Sequence, residues 1–99
     1  MTDKKQEDIA LEVFEYITKN VFTEEKSKYE VKVYNNHYNV IFYSTMQYKR
    51  EESTGTDNFI KGTIDILCIE SHNGNLIPFF EVSIIESKVQ DMIDEYYPM

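Results

Sequence analysis

Residues 28–47, KYEVKVYNNHYNVIFYSTMQ, alternate apolar with polar side chains, break at Asn35-Asn36, and alternate again. A period of two sends successive side chains to opposite faces of a strand, and Asn tolerates the positive φ of a tight hairpin turn. The stretch is thereby committed to a hairpin with one buried face. A two-residue turn sets Val33 opposite Tyr38, Val31 opposite Val40 and Tyr29 opposite Phe42. The reverse face then carries Lys28, Glu30, Lys32, Tyr34, His37, Asn39, Ile41 and Tyr43, a mixed surface that can stay wet.

Residues 59–71 and 76–85 predict two more strands, joined around Asn73-Gly74, the strongest short hairpin signal in the chain. A two-residue loop would oppose Ile66 with Glu81 and bury a carboxylate, which is costly. A three-residue loop instead opposes Cys68 with Phe80, Ile66 with Val82 and Ile64 with Ile84, and this register is the expected one. It places Asp65 opposite Ser83 and Glu81 opposite Leu67. The two acids are then diagonal neighbours, roughly 7 Å apart at the backbone and within reach of one ion. Their face also carries Phe59, Leu67, Ile69, Ile77, Phe79 and Ile85, more apolar area than water should meet. The polar stretch 48–58, without a consistent period, predicts a loop or a frayed strand extension.

Two helices complete the pattern. Ile9, Ala10, Val13, Phe14, Ile17 and Val21 recur at spacings of three and four, with Glu7, Asp8, Glu12, Glu15 and Lys19 opposite, so residues 3–22 predict an amphipathic helix. Asp3 is its expected N-cap, with Gln6 in a capping box. Near the C-terminus Ser87 and Gln90 suggest another capping box, after which Val89, Met92, Ile93 and Tyr96 share a helical face before Pro98. The fold class expected is α+β: an N-terminal amphipathic helix packed on a four-stranded antiparallel meander, with a short C-terminal helix.

With 99 residues the chain suffices for one domain and one core, spanning 1–99. Its formal net charge of −8 repels phosphates and anionic headgroups, which disfavours direct nucleic-acid or membrane binding and attracts a basic partner. Such a partner includes a nucleic-acid-binding protein that accepts an acidic surface in place of a phosphate backbone. A single cysteine, Cys68, permits no internal disulfide, and no apolar run is long enough for a signal peptide or a bilayer span. A reducing cytoplasm is the expected setting.

Catalytic motifs are sparse. The two histidines, His37 and His72, fall at expected hairpin turns, and Cys68 is expected to face the core, so no nucleophile–base pair is formed. No GxxxxGK or GxGxxG run and no paired His-Glu metal motif occurs, and no cofactor is implied. The run GTIDILCIESHNGNLIPFFEV, Gly62 to Val82, resembles the core of the PD-(D/E)xK nuclease superfamily, in which one strand supplies an Asp and the next a Glu-x-Lys. The resemblance implies that Asp65 and Glu81 hold a divalent metal beside a scissile phosphate. It departs from the family at Ile64, where the family has Pro, and at Ser83, where it has Lys, and a hydroxyl cannot replace that ammonium. The implied activity is therefore metal-dependent hydrolysis or an inactive relic of it.

The leading expectation is no enzyme but a small acidic protein that binds a protein partner, of the inhibitor, immunity or accessory kind carried by phages and mobile elements. Tyr34, Tyr43, Tyr96 and Tyr97, ringed by acids, are the expected contact residues. A homodimer closed through the apolar part of the second sheet face is compatible with either reading.

Overall fold

The computed structural model describes residues 1–21, 23–50 and 57–96. Helix α1 (Asp3–Asn20) is followed by strands β1 (Ser27–Val33), β2 (Tyr38–Arg50) and β3 (Asp57–Ser71), then helix α2 (Phe79–Tyr96). The strands form one antiparallel sheet in the order β1-β2-β3. The architecture is α+β, with both helices on one face of the sheet and the other face open. No described helix is long and apolar enough to cross a membrane.

Helix α1 buries the apolar stripe of the sequence: Ile9, Ala10, Val13, Phe14 and Ile17, with Val21 at its end. Its N-cap is Thr2 rather than Asp3. The Thr2 hydroxyl accepts from the Lys5 N–H at 3.2 Å, and Asp3 becomes the acid of the first turn, where the helix dipole favours it.

The first hairpin has the expected register, with Val33, Val31 and Tyr29 opposite Tyr38, Val40 and Phe42. Asn35 and Asn36 both take positive φ, and the His37 N–H donates to the Tyr34 carbonyl at 3.1 Å. Strands β2 and β3 run on into the stretch expected to be a loop, pairing as far as Arg50 with Asp57. Residues 51–56 lie outside the described residues.

The four-stranded meander is corrected to three strands. The expected strand 76–85 is reduced to one bridge, Glu70 to Leu76, and Phe79 opens an 18-residue helix that also absorbs the short one expected after Ser87. The sequence supports both periods as far as Ile85, but only the helical one continues: Val82, Ile85, Val89 and Ile93 are all buried. One helix hides four large side chains along a single line.

That helix performs the task of the missing strand. The amide of Gln90 accepts from the Ile64 N–H at 3.2 Å and donates to the Gly62 carbonyl at 2.9 Å, as a neighbouring peptide unit would. The Glu86 carboxylate accepts from the Ile66 N–H at 2.7 Å, and further along the Ile77 N–H donates to the Ile69 carbonyl at 2.9 Å. The β3 edge is thereby covered from Gly62 to Ile69 by α2 side chains and the segment before them.

A bulge alters the faces of β3. Between the pairs Ile41–Cys68 and Phe42–Ile66 the register shifts by one residue, Leu67. Ile64 and Ile66 therefore point inward together with Ile69, while Cys68, expected in the core, turns to the open face.

Candidate functional site

Asp65 and Glu81 are not neighbours. Asp65, between buried Ile64 and Ile66, points to the open face in a cross-strand row with Tyr43 and Lys28. Its carboxylate lies 3.1 Å from the Lys26 ammonium, which also sits 5.4 Å above the Tyr43 ring. Both partners are well exposed, so the pair contributes little to stability. Glu81 belongs to the first turn of α2 in the layer behind the sheet, 8 % exposed, with Oε1 2.8 Å from the Met1 amine. Their shared face depended on a strand that is a helix, and the sheet now stands between them. Among the described residues no group of three or more His, Cys, Asp or Glu side chains is placed to hold a metal.

The tyrosines divide as well. Tyr43 lies half-exposed on the open face. Tyr34 sits on the helix side, its N–H donating to the Glu12 carboxylate at 2.8 Å and its ring 5.2 Å from the Lys5 ammonium. It holds φ +55, a strained value for a tyrosine, which these contacts offset. The Lys5 ammonium is raised above its usual 10.5, chiefly by a hydrogen bond with Tyr38; burial opposes it next, and the charges of Tyr38, Tyr34 and Glu81 each add a smaller upward push. Tyr97 and the Tyr96 side chain lie outside the described residues.

Cys68 is a poor nucleophile. Burial and then the Glu70 carboxylate push its thiol up, so the reactive thiolate is disfavoured at neutral pH. His37 and His72 are the chain's two histidines, and the hairpin ends bring their ring centroids to 5.4 Å.

The prominent surface feature is the outer side of α2. Phe79, Phe80 and Ile84 stand on that side of the helix, Leu76 lies in the bridged segment just before it, and Leu76, Phe79, Phe80 and Ile84 are 66, 79, 65 and 39 % exposed. With a large aromatic presenting about 200 Å², the ridge exposes on the order of 400 Å², at the size that marks interaction sites. The segment from Asn73 to Phe80 carries no charge in a chain of net charge −8. Two turns further, the same side of α2 becomes acidic with exposed Asp91, Asp94 and Glu95. A shallow groove of 330 Å³ runs there between α1 and α2, with Glu7, Asp8, Asp91 and Glu95 around Leu11 and Met92. Lys88, also lining it, is 3.7 Å from Glu7.

The ridge escaped the sequence reading because Phe80 and Ile84, at alternate-residue spacing, belonged to the buried face of the expected strand. The signal that finds them is the series Val82, Ile85, Val89 and Ile93, which fills the helix's inner face and leaves Phe80 and Ile84 outside it. No protein-family model, no curated protein and no solved structure matches the chain.

Proposed function

We propose that this is a small acidic binding protein, of inhibitor, immunity or accessory type, that docks on a protein partner through the outer side of α2. The observation that carries the reading is the exposed ridge of Leu76, Phe79, Phe80 and Ile84. Large apolar side chains on the water side of a helix add little to the chain's own stability, whereas a partner's recess would desolvate them. The acidic turns beyond the ridge give the surface a direction. Its complement is an apolar recess with Lys or Arg along one flank, and charge of this kind speeds encounter and fixes orientation.

The open sheet face is a mixed surface of Lys28, Glu30, Tyr43, Asp65 and Lys61, and it is the weaker candidate for contact. Asp65 and Glu81, on separate faces, offer no shared site for metal-dependent phosphodiester hydrolysis.

The test is affinity capture with the native chain, with Phe79→Ser/Phe80→Ser and with Tyr43→Ala, each checked for native circular dichroism. A partner captured by the native chain and by Tyr43→Ala, but lost with the ridge variant, supports the reading. Capture that survives the ridge change overturns the assignment of the surface. Light scattering distinguishes a second copy of the chain as the occupant: twice the monomer mass for the native chain and monomer mass for the ridge variant.

A further inference from the structure

We infer that His37 and His72 form an open two-imidazole site for a divalent transition-metal ion, with Zn²⁺ the ion that the geometry favours. The two residues are 35 positions apart in sequence, yet their ring centroids are 5.4 Å apart with 51° between the ring planes. An imidazole nitrogen donates along the radius of its own ring. With metal–nitrogen bonds of about 2.0–2.1 Å, two imidazoles on one tetrahedral ion hold their centroids roughly 5 Å apart. On adjacent positions of an octahedral ion the separation falls to roughly 4.5 Å. The observed 5.4 Å lies nearer the tetrahedral than the octahedral separation.

The backbone holds this spacing. The His72 N–H donates to the His37 carbonyl at 2.8 Å, tying the β1–β2 turn to the turn that follows β3, and the neighbouring pair Tyr38–Ser71 belongs to the sheet register. The His37 N–H is held in turn by the Tyr34 carbonyl at 3.1 Å. Both side chains are exposed, and among the described residues neither imidazole makes a hydrogen bond. The His37 ring also stands in tilted contact with the Tyr34 ring, centroids 6.2 Å apart. Neutral imidazole suits Zn²⁺ and its neighbours in the first transition row and has no preference for Mg²⁺ or Ca²⁺, which take oxygen ligands. Two protein ligands leave two tetrahedral positions to water, so the site is an open one.

The experiment is isothermal titration of the full chain with ZnCl₂, followed in parallel by NMR of the imidazole ring protons, for the native chain and for His37→Ala, His72→Ala and Cys68→Ser. The expected result is one Zn²⁺ per chain, shifts of both imidazoles together, and affinity at least tenfold weaker when either histidine is replaced. Cys68→Ser is expected to bind as the native chain does, and MgCl₂ to produce no shift. The inference is overturned if 1 mM Zn²⁺ leaves both rings unshifted, or if either histidine variant binds within twofold of the native chain. Loss of binding in Cys68→Ser with the histidine variants unaffected would overturn it equally, by moving the metal to the thiol.

Discussion

Gln90 is a side chain standing in for a strand, and replacing it tests whether that substitution carries weight. The change Gln90→Leu keeps much of the volume and removes both bonds to β3, one from the Ile64 N–H and one to the Gly62 carbonyl. Both residues are buried, so their backbone groups have little water to turn to. An unsatisfied buried polar group costs about 1–3 kcal/mol. The pair together should cost about 2–6 kcal/mol, a large share of the roughly 5–15 kcal/mol typical of a domain this size. In urea the midpoint should fall with the slope unchanged, because the surface exposed on unfolding is the same. In a thermal melt even the lower end of that loss corresponds to a fall of about 8–16 °C.

A second variant separates the hydrogen bonds from packing. Gln90→Glu preserves the acceptor for Ile64 but aims a carboxylate at the Gly62 carbonyl and at Asp94, whose Oδ1 is now 3.1 Å from the Gln90 amide nitrogen. Repulsion raises the folded pKa of the introduced carboxyl above its unfolded value of about 4.3. The variant should be destabilised above that folded pKa and regain stability as pH falls toward 4.3, because a protonated carboxyl again donates to Gly62. A Gln90→Leu variant within 0.5 kcal/mol of the native chain, or a Gln90→Glu penalty independent of pH, would refute the account of the β3 edge.

Replacing Phe79 and Phe80 by Ser should move unfolding stability by less than about 1 kcal/mol, since both are already mostly in water. By contrast, Ile85→Ala, at 0 % exposure, should cost about 2–5 kcal/mol in urea unfolding. Lys5 is raised above 10.5, so its contribution to stability is present below that value and lost as pH rises through the higher folded one. Tyr38→Phe removes the largest cause of the shift and should flatten that alkaline loss in pH-dependent melts. The Gln6 side chain is buried with no hydrogen-bond partner for its Oε1 among the described residues, and Gln6→Met should be neutral or stabilising by up to about 1 kcal/mol in the same melts.

The parts of the fold legible in the sequence were those with one compatible period. The α1 stripe admitted only a helix, and the alternation around Asn35-Asn36 admitted only a hairpin in one register. Residues 76–85 satisfied two periods, and Asn73-Gly74 argued for a second hairpin. What decided against the strand was the length of the helical series beyond Ile85, together with the ability of Glu86 and Gln90 to satisfy the β3 edge without backbone pairing. Side-chain hydrogen bonds to a distant strand leave no periodic trace. The bulge at Leu67 is equally silent, yet it turned Cys68 outward and Ile69 inward. The acidic pair failed with the strand that created it, and the paired histidines emerged only because two turns distant in sequence close at one end of the sheet.

How the sheet edges are finished bears on how such a chain can meet a partner. A partner that recognises backbone needs a free strand edge. The β3 edge is occupied by Glu86, Gln90 and Ile77, and β1, at the other edge, sets charged Lys28, Glu30 and Lys32 alternately along its length, a pattern that discourages strand addition. Lys28→Val/Lys32→Val should therefore increase concentration-dependent association while leaving the monomer's spectrum native. With both edges guarded, recognition falls to side chains. Choosing a helix over a fourth strand seals an edge and, by the same geometry, turns Phe79, Phe80 and Ile84 to the water side of α2. An uncharged ridge on a strongly acidic chain favours a partner that brings both an apolar recess and compensating positive charge. Raising the salt concentration should accordingly slow association with that partner more than it speeds dissociation. A salt-independent association rate would remove the acidic turns from the interface and leave the ridge alone in it.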